Sequence, residues 1–143
     1  MTISDGDRAL LALLGGNARM PTAMLARKLG LSRTTVQARL ERLERDGVIA
    51  GYGVRLSSDY ERGLVRAHIL ITLAARALPR VTRDLEAMQA VRIVHSVSGS
   101  FDLIAIVEAA SISALDLVID RIGTIEGVEK TLSSIVLSTR ISR

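Results

Sequence analysis

Cysteine and tryptophan are absent from the sequence, and its 143 residues include only one Phe, two Tyr and two Pro. Without cysteine the chain can form neither a disulfide nor a cysteine-ligated zinc site. Hydrophobic residues nevertheless make up 48% of the chain. The core is therefore expected to be aliphatic, built from Leu, Ile, Val and Ala, in one ordinary domain or two small ones.

Long hydrophobic runs are missing as well, so no segment reaches the roughly 20 apolar residues that a membrane-spanning helix needs. Residues 1–7 are polar and acidic, whereas a secretory signal begins with basic residues followed by an apolar run. We therefore expect a cytoplasmic protein that makes no membrane contact.

The sequence also lacks the patterns that carry catalysis, such as a glycine-rich phosphate loop, a nucleophile elbow or paired carboxylates. His68 and His95 fall in the middle of predicted strands, with no carboxylate or serine at motif spacing. A histidine in a strand is more often a packing or interface residue than a catalyst. An enzyme is accordingly the weaker hypothesis, and no catalytic residue, metal site or cofactor is expected.

Positive charge is concentrated in the first part of the chain. Residues 1–56 hold nine basic and five acidic side chains, residues 57–64 hold one and two, and residues 65–143 hold nine and eight. This asymmetry predicts two domains with different partners. We place the N-terminal domain at 1–56, a linker at 57–64 and the C-terminal domain at 65–143.

Residues 21–46 have the pattern of two helices joined by a tight turn. In the first helix, Leu25, Ala26 and Leu29 form one apolar stripe. Gly30 follows, at the position where helices commonly end in a left-handed residue. This half of the pattern predicts a short amphipathic helix with a sharp end.

The second helix begins after Ser32, a good N-cap. Its apolar stripe consists of Val36, Leu40 and Leu43, so only one narrow face is buried. At 100° per residue, the side chains that point away are Thr34, Ala38, Glu41 and Arg45, with Thr35, Gln37 and Arg42 on the flanks. This is the layout of a helix-turn-helix whose second helix enters the DNA major groove.

An ordinary αα-hairpin with a solvated face has the same geometry, so spacing alone leaves both interpretations open. Charge favours DNA binding, because residues 19–46 carry seven basic side chains against three acidic ones. A basic face on a helix-turn-helix is the electrostatic signature of phosphate contact.

The candidate DNA-contacting residues all lie on the second helix. Thr34, Gln37 and Ala38 suit base edges, since glutamine can pair bidentately with adenine and a small apolar side chain can meet a thymine methyl. Arg39 lies closest to the buried stripe, and an ion pair with Glu41 or Glu44 is the alternative for it. The full set is Arg33, Thr34, Thr35, Gln37, Ala38, Arg39 and Arg42, of which the arginines are expected to contact phosphates.

Two further elements complete the N-terminal domain. Residues 4–14 predict a first helix, with acidic residues at its start and Gly15 and Gly16 ending it. After the second helix of the pair, Gly47 is expected to terminate it, and residues 48–54 read as a short strand or wing.

The C-terminal domain begins with a change of period. Residues 65–73 alternate apolar and other side chains, as a strand does, and a helix opens near Pro79. Strands at 91–98 and 102–109 follow, separated by a turn at 98–101, then a helix at 112–122 and a strand at 128–141. The order βαββαβ predicts an α+β fold, a ferredoxin-like antiparallel sheet with both helices on one face.

The third strand of this domain carries apolar residues on both sides. Leu103, Ala105 and Val107 point one way, whereas Ile104 and Ile106 point the other. Because two helices cover only one face of the sheet, the second apolar face needs another partner, and a sheet-to-sheet homodimer is the simplest one.

Three segments resemble the Lrp/AsnC, or feast/famine, family of transcriptional regulators, and the match covers nearly the whole chain. They are the first helix from Asp7-Arg8 to Asn17-Ala18-Arg19, the segment LARKLGLSRTTVQARLERLERDGVIAGY at 25–52, and GSFDLIAIVEA at 99–109 with GVEKTLSSIVL at 127–137. The resemblance implies a winged or simple helix-turn-helix domain joined to a βαββαβ sensing domain. It also implies dimers that assemble into tetramers or octamers.

The resemblance further implies an amino-acid or related small-metabolite effector bound between sensing domains. The family's Gly-x-x-Asp turn falls on Gly99, Ser100, Phe101 and Asp102, and its second ligand-contacting stretch falls on Ser133 and Ser134. The turn's backbone can receive an α-carboxylate and Asp102 an α-ammonium. Equally, Gly99 can simply supply a left-handed turn residue, and Asp102 can simply cap the turn.

The predicted function is therefore a sequence-specific DNA-binding transcriptional regulator, modulated by such an effector. The alternative within DNA binding is an effector-independent, nucleoid-type architectural protein that coats DNA broadly through charge and assembly.

Overall fold

The computed structural model of the chain describes residues 3–57, 60 and 63–142, and it forms two compact units, residues 1–55 and 56–143. The domain boundaries predicted above, 1–56, 57–64 and 65–143, stay a prediction. The described elements are α1 (Asp5–Gly16), α2 (Thr22–Leu29), α3 (Arg33–Arg45), β1 (Val65–Leu73), α4 (Leu78–Glu86), β2 (Val91–Ser96), β3 (Leu103–Ala109), α5 (Ile112–Gly123) and β4 (Val128–Ile135). None of these helices is long and apolar enough to cross a membrane.

The first unit packs α1, α2 and α3 around an aliphatic core. Its buried apolar residues are Leu10, Leu25, Ala26, Val36 and Leu43. The turn between α2 and α3 forms as the sequence indicates. Gly30 adopts φ 66°, and the Leu31 amide donates to the Ala26 carbonyl at 2.9 Å. The Ser32 hydroxyl then caps α3 by accepting from the Thr35 amide at 3.1 Å.

Two predictions about this unit are wrong. First, α1 does not stop before Gly15 and Gly16 but includes both, although each glycine costs about 1 kcal/mol relative to alanine in a helix. The helix ends where Asn17 turns extended and its amide donates to the Leu13 carbonyl at 3.0 Å.

Second, residues 48–54 form no strand. The Ile49 amide bonds back to the Leu43 carbonyl at 3.0 Å, and Val48 and Ile49 pack onto the helical core. Within the described part of the first unit there is no neighbouring strand with which this segment could pair.

The second unit has the predicted βαββαβ order and a fully antiparallel sheet, with strands arranged β2-β3-β1-β4. Both helices pack on the same face, since Val81 and Leu85 of α4 share one buried cluster with Leu115 and Ile122 of α5. The strands contribute to that cluster the alternate residues Ala67, Ile69, Ile71, Leu103, Ala105 and Val107. The predicted ferredoxin-like fold is confirmed.

The last strand is shorter than predicted, ending at Ile135 rather than residue 141. The reason lies in its neighbour, because β1 begins only at Val65. The Val136 amide donates to the Arg66 carbonyl at 2.8 Å, and beyond Leu137, which the register places opposite Val65, the chain lacks a β1 residue with which to pair.

The opposite side of the sheet, which we call the open face, carries the remaining strand residues. It consists of Arg66, His68, Leu70 and Thr72 on β1, Ile93 and His95 on β2, Ile104, Ile106 and Glu108 on β3, and Lys130, Leu132 and Ser134 on β4. Ile93 is 47% and Leu132 is 52% exposed, although both are large and apolar. The predicted division of β3 is therefore confirmed, with Ile104 and Ile106 away from the core.

Candidate DNA interface and effector turn

The surface of α3 that points away from the core, which we call the α3 face, consists of Arg33, Thr34, Gln37, Ala38, Glu41 and Arg45. All six are exposed. Two shallow open hollows lie on it, and Thr34, Ala38 and Glu41 line both. A helix whose outward surface is this open offers its side chains to a groove without any rearrangement of its own unit.

Four of the seven predicted DNA-contacting residues lie on this face. They are Arg33, Thr34, Gln37 and Ala38, and they occupy the N-terminal half of the helix. Arg33 makes no ion pair with any residue that the structure describes. Its charge is therefore available to a phosphate or a guanine edge.

Thr35 is directed to the helix cap instead. Its hydroxyl lies 2.8 Å from the Ser32 Oγ, and its amide donates to the same oxygen. Thr35 thus completes the N-terminal cap that fixes where α3 begins, and only its unused hydrogen-bonding capacity is left for DNA.

Arg42 forms an ion pair with the first helix, while 43% of its side chain stays exposed. Its Nη2 donates to Asp7 Oδ1 at 2.6 Å, and the Asp7 side chain is 1% exposed. Asp7 also accepts from the Ser4 hydroxyl at 2.7 Å and the Ser4 amide at 3.0 Å, which closes a capping box at the start of α1. The Ser4 hydroxyl chiefly, and Arg42 in addition, lower the pKa of the Asp7 carboxyl.

Arg39 leans the same way. Its guanidinium lies over Gly6 of α1, in space that any larger residue at position 6 would fill. The alternative considered for it, a pair with Glu41 or Glu44, does not occur among the described residues. Glu44 instead accepts from the Tyr52 hydroxyl at 2.6 Å, and this bond raises the pKa of Tyr52. Arg39 and Arg42 therefore join α3 to α1.

Sequence reasoning placed Glu41 among the residues pointing outward and considered it only as an alternative ion-pair partner of Arg39. In the structure the Gln37 Nε2 donates to Glu41 Oε1 at 3.0 Å. The signal was available, because residues four apart on a helix are neighbours and a glutamine–carboxylate pair at that spacing is favourable.

The candidate effector turn lies between β2 and β3. Gly99 has φ 114°, a conformation that side-chain-bearing residues rarely adopt, and the Val97 amide closes the turn on the Asp102 carbonyl at 3.0 Å. Asp102 also fastens the turn to β1, because its Oδ2 accepts from the Leu73 amide at 2.7 Å and its own amide donates to the Ile71 carbonyl at 2.9 Å. The Asp102 side chain thus has a structural role, which is to fasten the turn to the end of β1.

The two predicted effector stretches are not brought together within one chain. Asp102 lies opposite Thr72 of β1, whereas Ser133 and Ser134 of β4 lie opposite Ile69 and His68. They are separated by two strand spacings, about 10 Å, and by three to four residues along the strands, a further 10–13 Å or so. Ser133 and Ser134 also alternate between the two faces of the sheet.

Comparison with known proteins finds a matching family domain for each of the two units. The model of the AsnC-type helix-turn-helix domain matches residues 3–44, and that of the Lrp/AsnC ligand binding domain matches residues 66–143. The chain therefore belongs to the Lrp/AsnC family of transcriptional regulators. The predicted function class, a DNA-binding regulator of transcription, is confirmed.

Individual relatives span almost the full length. The transcriptional regulator LrpA of Mycobacterium tuberculosis is 34% identical over 138 residues, 96% of this chain and 91% of its own. The structure of AsnC from Escherichia coli superposes with a TM-score of 0.90 at 32% identity, covering 100% of this chain and 97% of that one. A feast or famine regulatory protein of M. tuberculosis complexed with L-methionine gives 0.87 at 34% identity, covering 99% and 96%.

Proposed function

We propose that this regulator reads its operator with the α3 face, binds DNA as a homodimer formed through the open face, and responds to an amino acid or related metabolite at the Gly99–Asp102 turn. The observation that carries the DNA-binding part is the α3 face itself. It sets hydrogen-bonding side chains beside Arg33, which has no ion-pair partner among the described residues, on a helix whose opposite side buries Val36 and Leu43 in the core.

The assignment of roles follows from what each side chain is free to do. Gln37 and Thr34 have hydrogen-bonding atoms on the α3 face, and Ala38 offers a methyl group between them. Arg33 and the 72% exposed Arg45 flank these residues with positive charge. Bases are thus contacted from the middle of the face and phosphates from its two ends.

The test is a footprint of the full chain on the DNA upstream of its own gene, with random-sequence DNA as competitor. Protection limited to a few spaced half-sites supports a sequence-specific regulator, and Gln37→Ala is expected to alter base preference at one position. The assignment would be contradicted if the protein coated the fragment uniformly and Gln37→Ala lost the same affinity for specific and for random DNA.

Dimerisation is proposed because the open face carries a contiguous apolar block. Leu70, Ile104, Ile106 and Leu132 lie on adjacent strands, with Ile93 beside Ile106. At one rim of this block, Glu108 accepts from Arg66 Nε at 2.9 Å and lies 3.5 Å from Arg92 Nε. A second copy of the chain presents the same apolar surface, so two open faces can pack together into a homodimer. Such dimers can assemble further into a tetramer or octamer.

Analytical ultracentrifugation of the full chain tests this surface. Leu132→Asp places a charge in the apolar block and is expected to shift the protein to monomer. Leu137→Asp is the matched control, because Leu137 lies beyond β4 and is 95% exposed. A wild-type monomer at micromolar concentration, or equal behaviour of the two variants, would contradict the proposed interface.

The effector part of the proposal is supported by the relative complexed with L-methionine. In this chain the turn's backbone amides can receive an α-carboxylate, and Asp102 retains a carboxylate oxygen, Oδ1, beyond the one bonded to Leu73. Since Ser133 and Ser134 lie on a distant part of the same sheet, we propose that they contact effector bound to another copy's turn.

The decisive variant is Asp102→Asn, which keeps an acceptor for the Leu73 amide but removes the negative charge. Wild-type protein is screened against the amino acids by thermal shift and by footprinting, and the variant is expected to lose any response while keeping effector-free DNA binding. A response of unchanged strength in Asp102→Asn would remove the turn from the effector site. Ser134→Ala tests the second stretch in the same way.

A further inference from the structure

We propose that Glu41 determines the base specificity of the α3 face, by holding the amide of Gln37 in one orientation and by disfavouring base pairs that turn the acceptors of guanine or thymine, rather than the amino group of adenine or cytosine, towards its carboxylate. This inference rests on the proposed DNA-binding face and adds to it a residue that has no place among the expected contacts.

Position is the first observation. Glu41 lies on the outward line of α3, one helical turn after Gln37, and lines both hollows of the α3 face together with Thr34 and Ala38. When the α3 face enters the major groove of a duplex, the Glu41 carboxylate therefore enters with it, near the middle of the face. A flanking acid such as Glu44 lies to the side and is occupied by the Tyr52 hydroxyl.

The hydrogen bond is the second observation. A glutamine amide carries two N–H donors on Nε2 and an accepting Oε1. With one N–H donated to Glu41 Oε1 at 3.0 Å, Gln37 keeps one free N–H and its free oxygen. Adenine presents an accepting N7 and a donating N6 amino group, which matches that remaining pair. Glu41 thereby pre-sets Gln37 for adenine before DNA arrives.

Charge is the third observation. Most positions in the major groove present acceptors, and phosphates line its edges, so a carboxylate is repelled there. Only the amino groups of cytosine and adenine donate to it. Each base pair has one such amino group, so Glu41 weakens binding where the base that faces it is guanine or thymine, and this raises the ratio of specific to non-specific affinity.

The experiment selects binding sites from a fully randomised duplex library with the full-length protein, and repeats the selection with two variants. Glu41→Gln keeps an acceptor for Gln37 and removes the charge, so we expect affinity for random-sequence DNA to rise several-fold. Glu41→Ala removes both, so the preference at the base pair read by Gln37 is expected to fall by roughly tenfold, the size of a single good base contact.

Glu44→Gln and Glu44→Ala are the matched controls. They make the same changes on the same helix at a residue that lines neither hollow and accepts from the Tyr52 hydroxyl, and they should leave the selected sequence unchanged. Circular dichroism checks that each variant keeps its helices. A double-mutant cycle then links the two residues: with Gln37→Ala already present, Glu41→Ala should cost nothing further at that base pair.

The outcomes separate this inference from the proposed function. If the wild type selects no motif, the α3 face is not a sequence reader and the proposed function fails first. If the wild type selects a motif and Glu41→Ala selects the same motif with the same discrimination, Glu41 is not a specificity residue. Additive effects in the cycle would also overturn the inference, because they would show that Glu41 does not act through Gln37.

Discussion

Gly127 joins the end of α5 to the start of β4, and replacing it with alanine should destabilise the second unit strongly. The backbone there has φ 101°, and a Cβ would lie 2.6 Å from the Ala77 Cβ and 3.2 Å from the Val81 Cγ2. Carbon atoms prefer separations of about 3.5–4.0 Å, so the loop before α4 would have to move by nearly an ångström. The Gly127 carbonyl also accepts from the Ala74 amide at 2.8 Å, and that movement would strain the bond.

The expected size comes from three contributions. A side chain at this φ costs about 1–3 kcal/mol in backbone strain, and overpacking a tight contact costs about 1–3 kcal/mol more. Restriction of the unfolded chain by alanine returns up to about 1 kcal/mol. We therefore expect Gly127→Ala to lower the free energy of unfolding by about 3–4 kcal/mol, within outer limits of about 1 and 6 kcal/mol. Hydrogen exchange should detect this loss in β1 and β4.

Gly99→Ala is the matched comparison, because Gly99 also has a positive φ of 114° but has nothing within 4 Å of its Cβ position. Only the backbone strain applies there, so the loss should be about 1–2 kcal/mol. Amide hydrogen exchange of the full chain, followed by mass spectrometry, measures both variants in the second unit, while peptides from α3 serve as an internal reference.

The double variant Gly127→Ala with Ala77→Gly separates the two causes. Removing the Ala77 Cβ relieves the closest contact but leaves the strained φ, so stability should return to about the level of Gly99→Ala. Equal effects of Gly127→Ala and Gly99→Ala, or no recovery in the double variant, would refute the packing argument.

Two further predictions concern the ion pair between α1 and α3. The pKa of Asp7 is lowered in the folded chain, so the Asp7 carboxylate stabilises the fold above its ordinary pKa of 3.8, and this stabilisation is lost as the pH falls through the lower folded pKa. Unfolding measured from pH 2 to 7 should show the loss, and Asp7→Asn should abolish this pH dependence. Arg42→Ala should lower the thermal midpoint of the first unit, because it leaves the buried Asp7 carboxylate with only its Ser4 partners. Arg45→Ala should leave that midpoint unchanged, and it should weaken binding to specific and random DNA by the same factor. Equal midpoints for the two arginine variants would show that the pair does not support the fold.

The elements that could be predicted from sequence are those set by neighbouring residues. The helix-turn-helix depends on Gly30 for the turn, Ser32 for the cap, and apolar residues three to four apart, all of which lie within a few positions of one another. The sheet was predictable for the same reason, because alternation along β1 and β3 already separates the core face from the open face.

What could not be predicted depends on residues distant in sequence. The Asp7–Arg42 pair joins positions 35 apart, and the Leu73–Asp102 bond joins positions 29 apart. No local pattern indicates either. The segment 48–54 was misread because its apolar residues suit a strand equally well, and only the return of Ile49 to the α3 core decides between the two.

Contacts between distant residues determine which arginines of α3 support the fold and which remain available to DNA. Arg42 and Arg39 are drawn to the start of α1, so they fix the position of α3 against its neighbour. Of the predicted DNA-contacting residues, those left open are Arg33, Thr34, Gln37 and Ala38, and they occupy the N-terminal half of α3. Since recognition helices contact base edges chiefly through their N-terminal residues, tertiary contact restricts sequence reading to the part of the helix that enters the groove first. Glu41 lies at the C-terminal end of that part, one turn beyond Gln37. It accepts a hydrogen bond from Gln37, which is the residue best suited to read adenine.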